Sequence, residues 1–412
     1  MALKFVSVLG IIAMIGLAWL LSFNRKLFPW RTVFWGMGLQ FIFALLILKT
    51  TFGAAVFELA ERVVNKLTAF AMEGAQLVFG PLAKGELLVE KLGPGNGIVL
   101  GINITAMIIV ISALSALFYH WGILQRVVRG LAIVMQRAMR TSGSETLAAA
   151  ANIFMGQTEA PLVIRPYLSG MTQSELLCMM TSGMATIAGS VLAVYVALGV
   201  SSGHLLTASV MSAPAAVMIA KIMLPETQHS ETAHDAPLPT ERVATNSIDA
   251  LCRGAADGLT LAVNVIAMLI AFVAVVALAN FLLARITRPF GMALTFQNVF
   301  GWFNAPFAWL MGIPVKDCGL IGQILGERIV LNEFIGYLDL TSQKSIMDPR
   351  SFTLATYALC GFANFGSIAI QIGGIGGLVP HRRGDLAALG VRSMIGGILA
   401  SYLTATIVGV LI

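Results

Sequence analysis

Charge is scarce in this sequence: Asp, Glu, Lys and Arg together make up 11% of its 412 residues, while 58% are hydrophobic. Soluble domains carry about 25% charged residues, so a water-soluble globular protein is excluded and an integral membrane protein remains. Cysteine is equally sparse. Cys178, Cys252, Cys318 and Cys360 lie scattered in apolar segments with no paired spacing, which excludes a disulfide framework or a thiolate metal site and leaves small buried hydrophobes. The five histidines (His120, His204, His229, His234 and His381) fall in loops or at the ends of apolar runs. No His-Glu-x-x-His or paired-aspartate pattern accompanies them, so nothing equips the chain as an intramembrane enzyme. No small-residue cleavage motif follows the apolar run at 5–23, which therefore reads as an uncleaved first span with its N-terminus outside. The net charge of +6 does not call for nucleic acid as a partner, because basic residues at the inner ends of spans account for it.

What is present is a series of long apolar runs. A span needs about 20 such residues, and eight candidates stand out at 5–23, 32–50, 98–118, 174–199, 205–223, 259–284, 352–378 and 388–411. Arg25 to Arg31, the stretch from Arg126 to Arg140, and Arg382 with Arg383 mark the inner side, which puts both termini outside. The run "FELAERVVNKLTAFAMEGAQLVFG" between spans two and three is amphipathic with mixed charge and suits an outer interfacial helix. The strongly polar stretch over 225–249 reads as an inner connection.

Two further stretches are apolar enough to enter a membrane and too broken to cross it. The first, 144–170, contains "GQTEAP"; the second, 314–342, contains "GERIVLNEFIGYLDL". Charged or irregular backbone at membrane depth is tolerated only against protein or a water-filled cavity, so both read as re-entrant helical hairpins. Each is followed by a span interrupted by Gly, Ser and polar residues, "ATIAGSVLA" after Glu159 and "GFANFGSIA" after Glu333, and then by one more span. One hairpin starts inside and the other outside. Hairpin, broken helix and helix thus form an inverted repeat, the arrangement with which secondary transporters build a midplane site. Close packing through small residues also explains either broken run taken singly, but less well Asn364, whose amide needs a partner at mid-span.

Pro161 fits the first turn of a second half-helix, where its missing N–H costs nothing. The tip before it then presents Gln157 as donor and acceptor, Thr158 as a hydroxyl and Glu159 as a strong acceptor, a set suited to a neutral planar solute such as a nucleobase. Glu333 with Asn332 at the other tip suits vicinal hydroxyls, since a carboxylate accepts from two O–H groups. An ion pair between Glu333 and Arg328 is the alternative.

"GQTEAP", "ATIAGSVLA", "NEF" and "GFANFGSIAIQIGGIGGLVPHRRGDLAALG" together resemble the concentrative nucleoside transporter family, bacterial and sodium-coupled, over most of the chain from about Val33 onward. The resemblance implies a homotrimer in a bacterial inner membrane, each protomer having a scaffold and a transport domain that moves as an elevator. It assigns residues 1–122 and 251–313 to the scaffold, 123–224 and 314–412 to the transport domain, and 225–250 to a cytoplasmic loop. It also implies that Gln157, Thr158, Glu159 and Val191 face the nucleobase, and that Glu333, Phe362, Asn364 and Ser367 face base and ribose. A sodium ion, the coupling ion, would be held by Asn152, the Met155 carbonyl, Thr186 and the Ile187 carbonyl. Related bacterial members have Val and Ser where this chain has Met155 and Thr186. The first change leaves the carbonyl ligand intact, and the second keeps the hydroxyl while adding a methyl. Protonation of Glu159 remains an alternative way to couple transport, and a channel is the remaining alternative to a symporter.

Overall fold

The computed structural model describes residues 2–93, 99–233, 244–290 and 294–412, and the described residues are helical without a strand. The part of the polar connection at 234–243, with His234, and the first residue of the span expected from 98 lie outside the described residues. The first half of the chain begins with α1 (Ala2–Leu20), α2 (Trp30–Lys49), α3 (Thr51–Phe79), α4 (Gly85–Leu92), α5 (Leu100–His120) and α6 (Ile123–Met139). It continues with α7 (Gly143–Ala151), α8 (Ala160–Val163), α9 (Gln173–Ala185), α10 (Gly189–Ala197) and α11 (Ser202–Met223). The second half comprises α12 (Ser247–Thr287), α13 (Phe296–Leu310), α14 (Val315–Val330), α15 (Glu333–Ser342), α16 (Pro349–Leu359), α17 (Phe365–Leu378) and α18 (Arg383–Leu411).

Among the described residues, seven segments are helical, long and apolar enough to cross a membrane: α1, α2, α5, α9 with α10, α11, α12, and α18 with the turn before it. The run expected to cross at 352–378 is divided into α16 and α17, two helices too short to span alone. The other differences have local causes. α12 is 41 residues long and starts well before the apolar run at 259–284, because the Asn246 side chain caps it and Asp249 pairs with Arg253 at 2.9 Å. α8 has only four residues and gives way to a 3-10 turn over Arg165–Tyr167. Pro166 disfavours helical backbone in the residue before it and supplies no N–H, so the second arm of the first helix pair cannot continue.

The core lies around α9, α11 and α18, which are buried along most of their length, while α12 leaves most of its apolar side chains exposed. α6 shows why a short amphipathic helix forms beside that core. Val128, Ala132, Met135 and Met139 recur at helical spacing and are buried, whereas Arg126, Arg129 and Arg137 face outward. One buried polar cluster ties three elements together at a common end. The Lys221 ammonium at the end of α11 lies 2.8 Å from Glu145 of α7 and donates to Ser174 of α9 at 2.9 Å. The following link closes over it: Thr232 accepts from the Gly143 N–H at 2.8 Å, and the Ser230 hydroxyl donates to Glu175.

Candidate functional site

The chain runs through the same order of elements twice: a helix pair joined by a tip, a helix with a break, and a long helix. α7 and α8 flank the first tip, 152–159, and α9 and α10 flank the first break, 186–188. α14 and α15 flank the second tip at Leu331 and Asn332, and α16 and α17 flank the second break, 360–364. These four irregular segments meet. The Gly189 N–H donates to the Phe154 carbonyl at 3.1 Å, which joins the first tip to the first break. The Phe362 N–H donates to the Thr186 carbonyl at 3.2 Å, which joins the two breaks. Both approaches need glycine. A Cβ on Gly189 would come within 2.8 Å of the Phe154 oxygen, and one on Gly361 within 2.7 Å of the Met184 oxygen.

Capping explains two of the polar residues in the apolar runs. Asn332 accepts from the Ile335 N–H at 3.1 Å and starts α15; Asn364 accepts from the Ser367 N–H at 2.8 Å and starts α17. Asn332, expected to face hydroxyls beside Glu333, thus has its side-chain oxygen engaged by its own helix. Asn364 still has its amide free for Glu333, to which it donates at 3.2 Å. Glu333 opens α15, where a carboxylate is favoured by the helix dipole, and also accepts from the Tyr195 hydroxyl at 2.8 Å.

The remaining contacts extend this into a single chain of hydrogen bonds. The Gln157 amide donates to the Ser367 hydroxyl oxygen at 3.0 Å and accepts from Gln371 at 3.1 Å. From Tyr195 through Glu333, Asn364, Ser367 and Gln157 to Gln371, both tips and the second break are connected. Thr158 is exposed and packs toward Gly374 of α17; Glu159, half-buried, accepts from the Gly156 N–H at 3.3 Å. Val191 is buried on α10 one turn before Tyr195, and Phe362 is half-buried at the second break. Arg328 does not pair with Glu333. It is fully buried and donates to the Ala358 carbonyl and, at 2.8 Å, to Ser401. The ion pairs of the described residues lie elsewhere.

Sequence reasoning missed Tyr195 and Gln371. Each had a signal of a kind: Tyr195 stands one helical turn from Val191, and Gln371 one turn from Ser367, so each shares a face with an expected site residue.

The four residues expected around a sodium ion fall at the first tip and first break. Asn152 is buried, and its amide N–H donates to the Ala148 carbonyl at 3.0 Å, which leaves its side-chain oxygen buried without a partner. The Thr186 hydroxyl donates its hydrogen to the Ser182 carbonyl at 2.9 Å, so its lone pairs are available. Met155 is half-buried and Ile187 buried beside them. Neutral oxygens of this kind fit a hard monovalent cation.

Three family models match the chain. Residues 9–82 match the N-terminus and residues 204–409 the C-terminus of Na+ dependent nucleoside transporters, and residues 102–202 match a nucleoside recognition model. An uncharacterized transporter of Haemophilus influenzae is 41% identical over 98% of this chain and 97% of its own length. Sodium/nucleoside cotransporter 1 of Oryctolagus cuniculus is 34% identical over 99% of this chain, which covers 63% of that longer protein. Among solved structures, CNTnw in an inward-facing substrate-bound state superposes with a TM-score of 0.93 at 37% identity, covering 99% of this chain and 97% of that one. The class is therefore that of multi-pass, all-helical membrane transporters. Within it, the chain belongs to the concentrative nucleoside transporter family.

Proposed function

We propose that the protein is a secondary active symporter that takes up nucleosides driven by a sodium gradient, by an elevator movement. The observation that carries this reading is the unbroken hydrogen-bond chain from Tyr195 to Gln371, with the unpartnered oxygen of Asn152 at the adjoining tip. Gln157, Thr158, Glu159 and Val191 contact the nucleobase, and Glu333, Phe362, Asn364 and Ser367 contact base and ribose. Sodium, carried with the nucleoside, binds Asn152, the Met155 carbonyl, Thr186 and the Ile187 carbonyl. Its positive charge steadies the tip that carries Gln157, Thr158 and Glu159.

In this reading both helix pairs are re-entrant hairpins and the two halves form an inverted repeat, with both termini outside a bacterial inner membrane. Residues 123–224 and 314–412 move as the transport domain against a scaffold of 1–122 and 251–313, in a homotrimer. The exposed apolar length of α12 supports a peripheral scaffold helix. Relatives named sodium/nucleoside cotransporter support the coupling ion, and solved forms of CNTnw described as inward-facing, outward-facing and intermediate support alternating access.

A second reading, proton coupling, is favoured by one observation. Glu159 is a half-buried carboxylate at the first tip whose hydrogen-bond partner is the Gly156 N–H. Uptake of labelled uridine and adenosine into proteoliposomes, under separately imposed sodium and proton gradients, decides between them. Accumulation that follows sodium is expected. Uptake indifferent to sodium that follows the pH gradient would establish the proton reading instead.

A further inference from the structure

Gln371 lies on α17, one turn beyond Ser367, and is 1% exposed. Its amide nitrogen donates to the Met180 carbonyl at 3.0 Å and to the side-chain oxygen of Gln157 at 3.1 Å. The nitrogen of Gln157 in turn donates to the Ser367 hydroxyl oxygen at 3.0 Å.

The polarity of this chain is set at its far end. A backbone carbonyl can only accept, so Gln371 must turn its NH2 group toward Met180, and the second hydrogen of that group reaches Gln157. Gln157 must then show its oxygen to Gln371 and its own NH2 to Ser367. Flipping the Gln157 amide would set two NH2 groups face to face and leave buried donors unpaired, a bias on the order of tenfold or more. Gly183 of α9 makes room for this arrangement. A Cβ there would lie 2.8 Å from the Gln371 nitrogen and 2.9 Å from the Gln157 Cβ.

One hydrogen of the Gln157 NH2 is held by Ser367, and the other is free. The Ser367 hydroxyl, which accepts from Gln157, keeps its own hydrogen free as well. Both groups therefore offer donors where the first tip meets α17. We propose that Gln371 is a positioning residue that fixes the Gln157 amide as a donor toward the nucleobase, and thereby sets a preference for bases with a carbonyl acceptor at that edge. The proposal rests on Gln157 facing the base. Uracil and hypoxanthine carry a carbonyl at the pyrimidine 4-position and the purine 6-position and accept from this edge, whereas cytosine and adenine carry an amine there and present hydrogens to it.

The test compares uridine with cytidine, and inosine with adenosine, in proteoliposome uptake by wild type and variants. Wild type is expected to favour uridine over cytidine and inosine over adenosine, the members with a carbonyl in place of the amine. Gln371→Met removes both donors at nearly constant length, and the preference should fall about three- to tenfold, through KM more than kcat. Gln371→Leu likewise leaves no donor at this position, so the preference should fall by a similar factor. Gln157→Leu should abolish the preference, and adding Gln371→Met to it should change the ratio no further.

A Gln157→Leu variant that keeps the wild-type ratio would overturn the base-facing reading and the proposal with it. A Gln157→Leu variant that alters the ratio, combined with a Gln371→Met variant that slows all four nucleosides equally, would overturn the proposal alone and reduce Gln371 to a packing contact. Wild-type preference for the amine-bearing bases would overturn it as well. Should Gln371→Met not reach the membrane, Gln371→Leu carries the same comparison.

Discussion

Glu333 accepts two hydrogen bonds from the protein itself, from Tyr195 and from Asn364. A carboxylate has about four acceptor positions, so roughly two remain for the hydroxyls of a ribose. Hydrogen bonds to a charged acceptor are worth about 1.5–3 kcal/mol, or roughly 10- to 100-fold in affinity. Glu333→Ala is therefore expected to lose uridine binding by that factor in calorimetry, while the weaker binding of free uracil is unchanged. Equal losses for uridine and uracil would remove Glu333 from the ribose. Lys221 presents a different problem at the same scale. Its pair with Glu145 is almost fully buried, so removing the ammonium leaves an uncompensated carboxylate. Lys221→Met should lower stability by about 3–5 kcal/mol, read as a fall in the thermal midpoint in detergent. Adding Glu145→Gln should recover much of it, because the amide oxygen can still accept from the Ser142 N–H. No recovery would mean that Lys221 acts mainly through Ser174 and through Glu226, whose carboxylate lies 3.2 Å from its ammonium. Gln157, Glu333, Asn364 and Ser367, which the structure joins by hydrogen bonds, stood out in the sequence because polar side chains are conspicuous in apolar runs. Tyr195 and Gln371 did not, because their partners are far away in sequence and only folding brings them together.

At the scale of elements, the breaks in the apolar helices were readable because Gly, Ser and Asn interrupt long runs at matching places. Their contacts were not: nothing in "ATIAGSVLA" or "GFANFGSIA" reveals that the Thr186 carbonyl receives the Phe362 N–H. The length of α12 was hidden for another reason. Hydropathy detects the apolar stretch alone, and the first turns of that helix are held by a cap and an ion pair. Topology of the two helix pairs gives a direct test of the inverted repeat. Ser144 is buried against Thr232, so a reporter at the base of the first pair belongs on the exposed link beside it, at Thr227. Ser342 is exposed at the end of α15. Single cysteines at Thr227 and Ser342, in a background without the four native cysteines, should react with an impermeant maleimide from opposite faces of the membrane. Reaction of both from one face would dissolve the inverted repeat and the midplane site built on it.

At the scale of the whole molecule, ion and nucleoside must be coupled for a gradient to drive uptake, and the architecture offers one route. The first tip carries Asn152 at its start and Gln157 to Glu159 at its end, and its Phe154 carbonyl is tied to the first break by the Gly189 N–H. That break is tied in turn to the second through Thr186 and Phe362, and the second carries Asn364 and leads into Ser367. An ion that holds Asn152 and Thr186 in place therefore orders both sides of the proposed nucleoside pocket. Linkage requires that nucleoside tighten sodium by the same factor by which sodium tightens nucleoside. A coupling of about 1–3 kcal/mol, or roughly 5- to 150-fold, is the usual range for such pairs. The unpartnered oxygen of Asn152 is the point at which to break it. Asn152→Ala should raise the sodium concentration for half-maximal uptake and flatten the dependence of uridine affinity on sodium, with the thermal midpoint in sodium-free buffer little changed. Thr186→Val should act in the same direction, since it removes the hydroxyl oxygen and keeps the shape. Uridine binding that tightens with sodium as steeply in both variants as in wild type would place the coupling ion elsewhere.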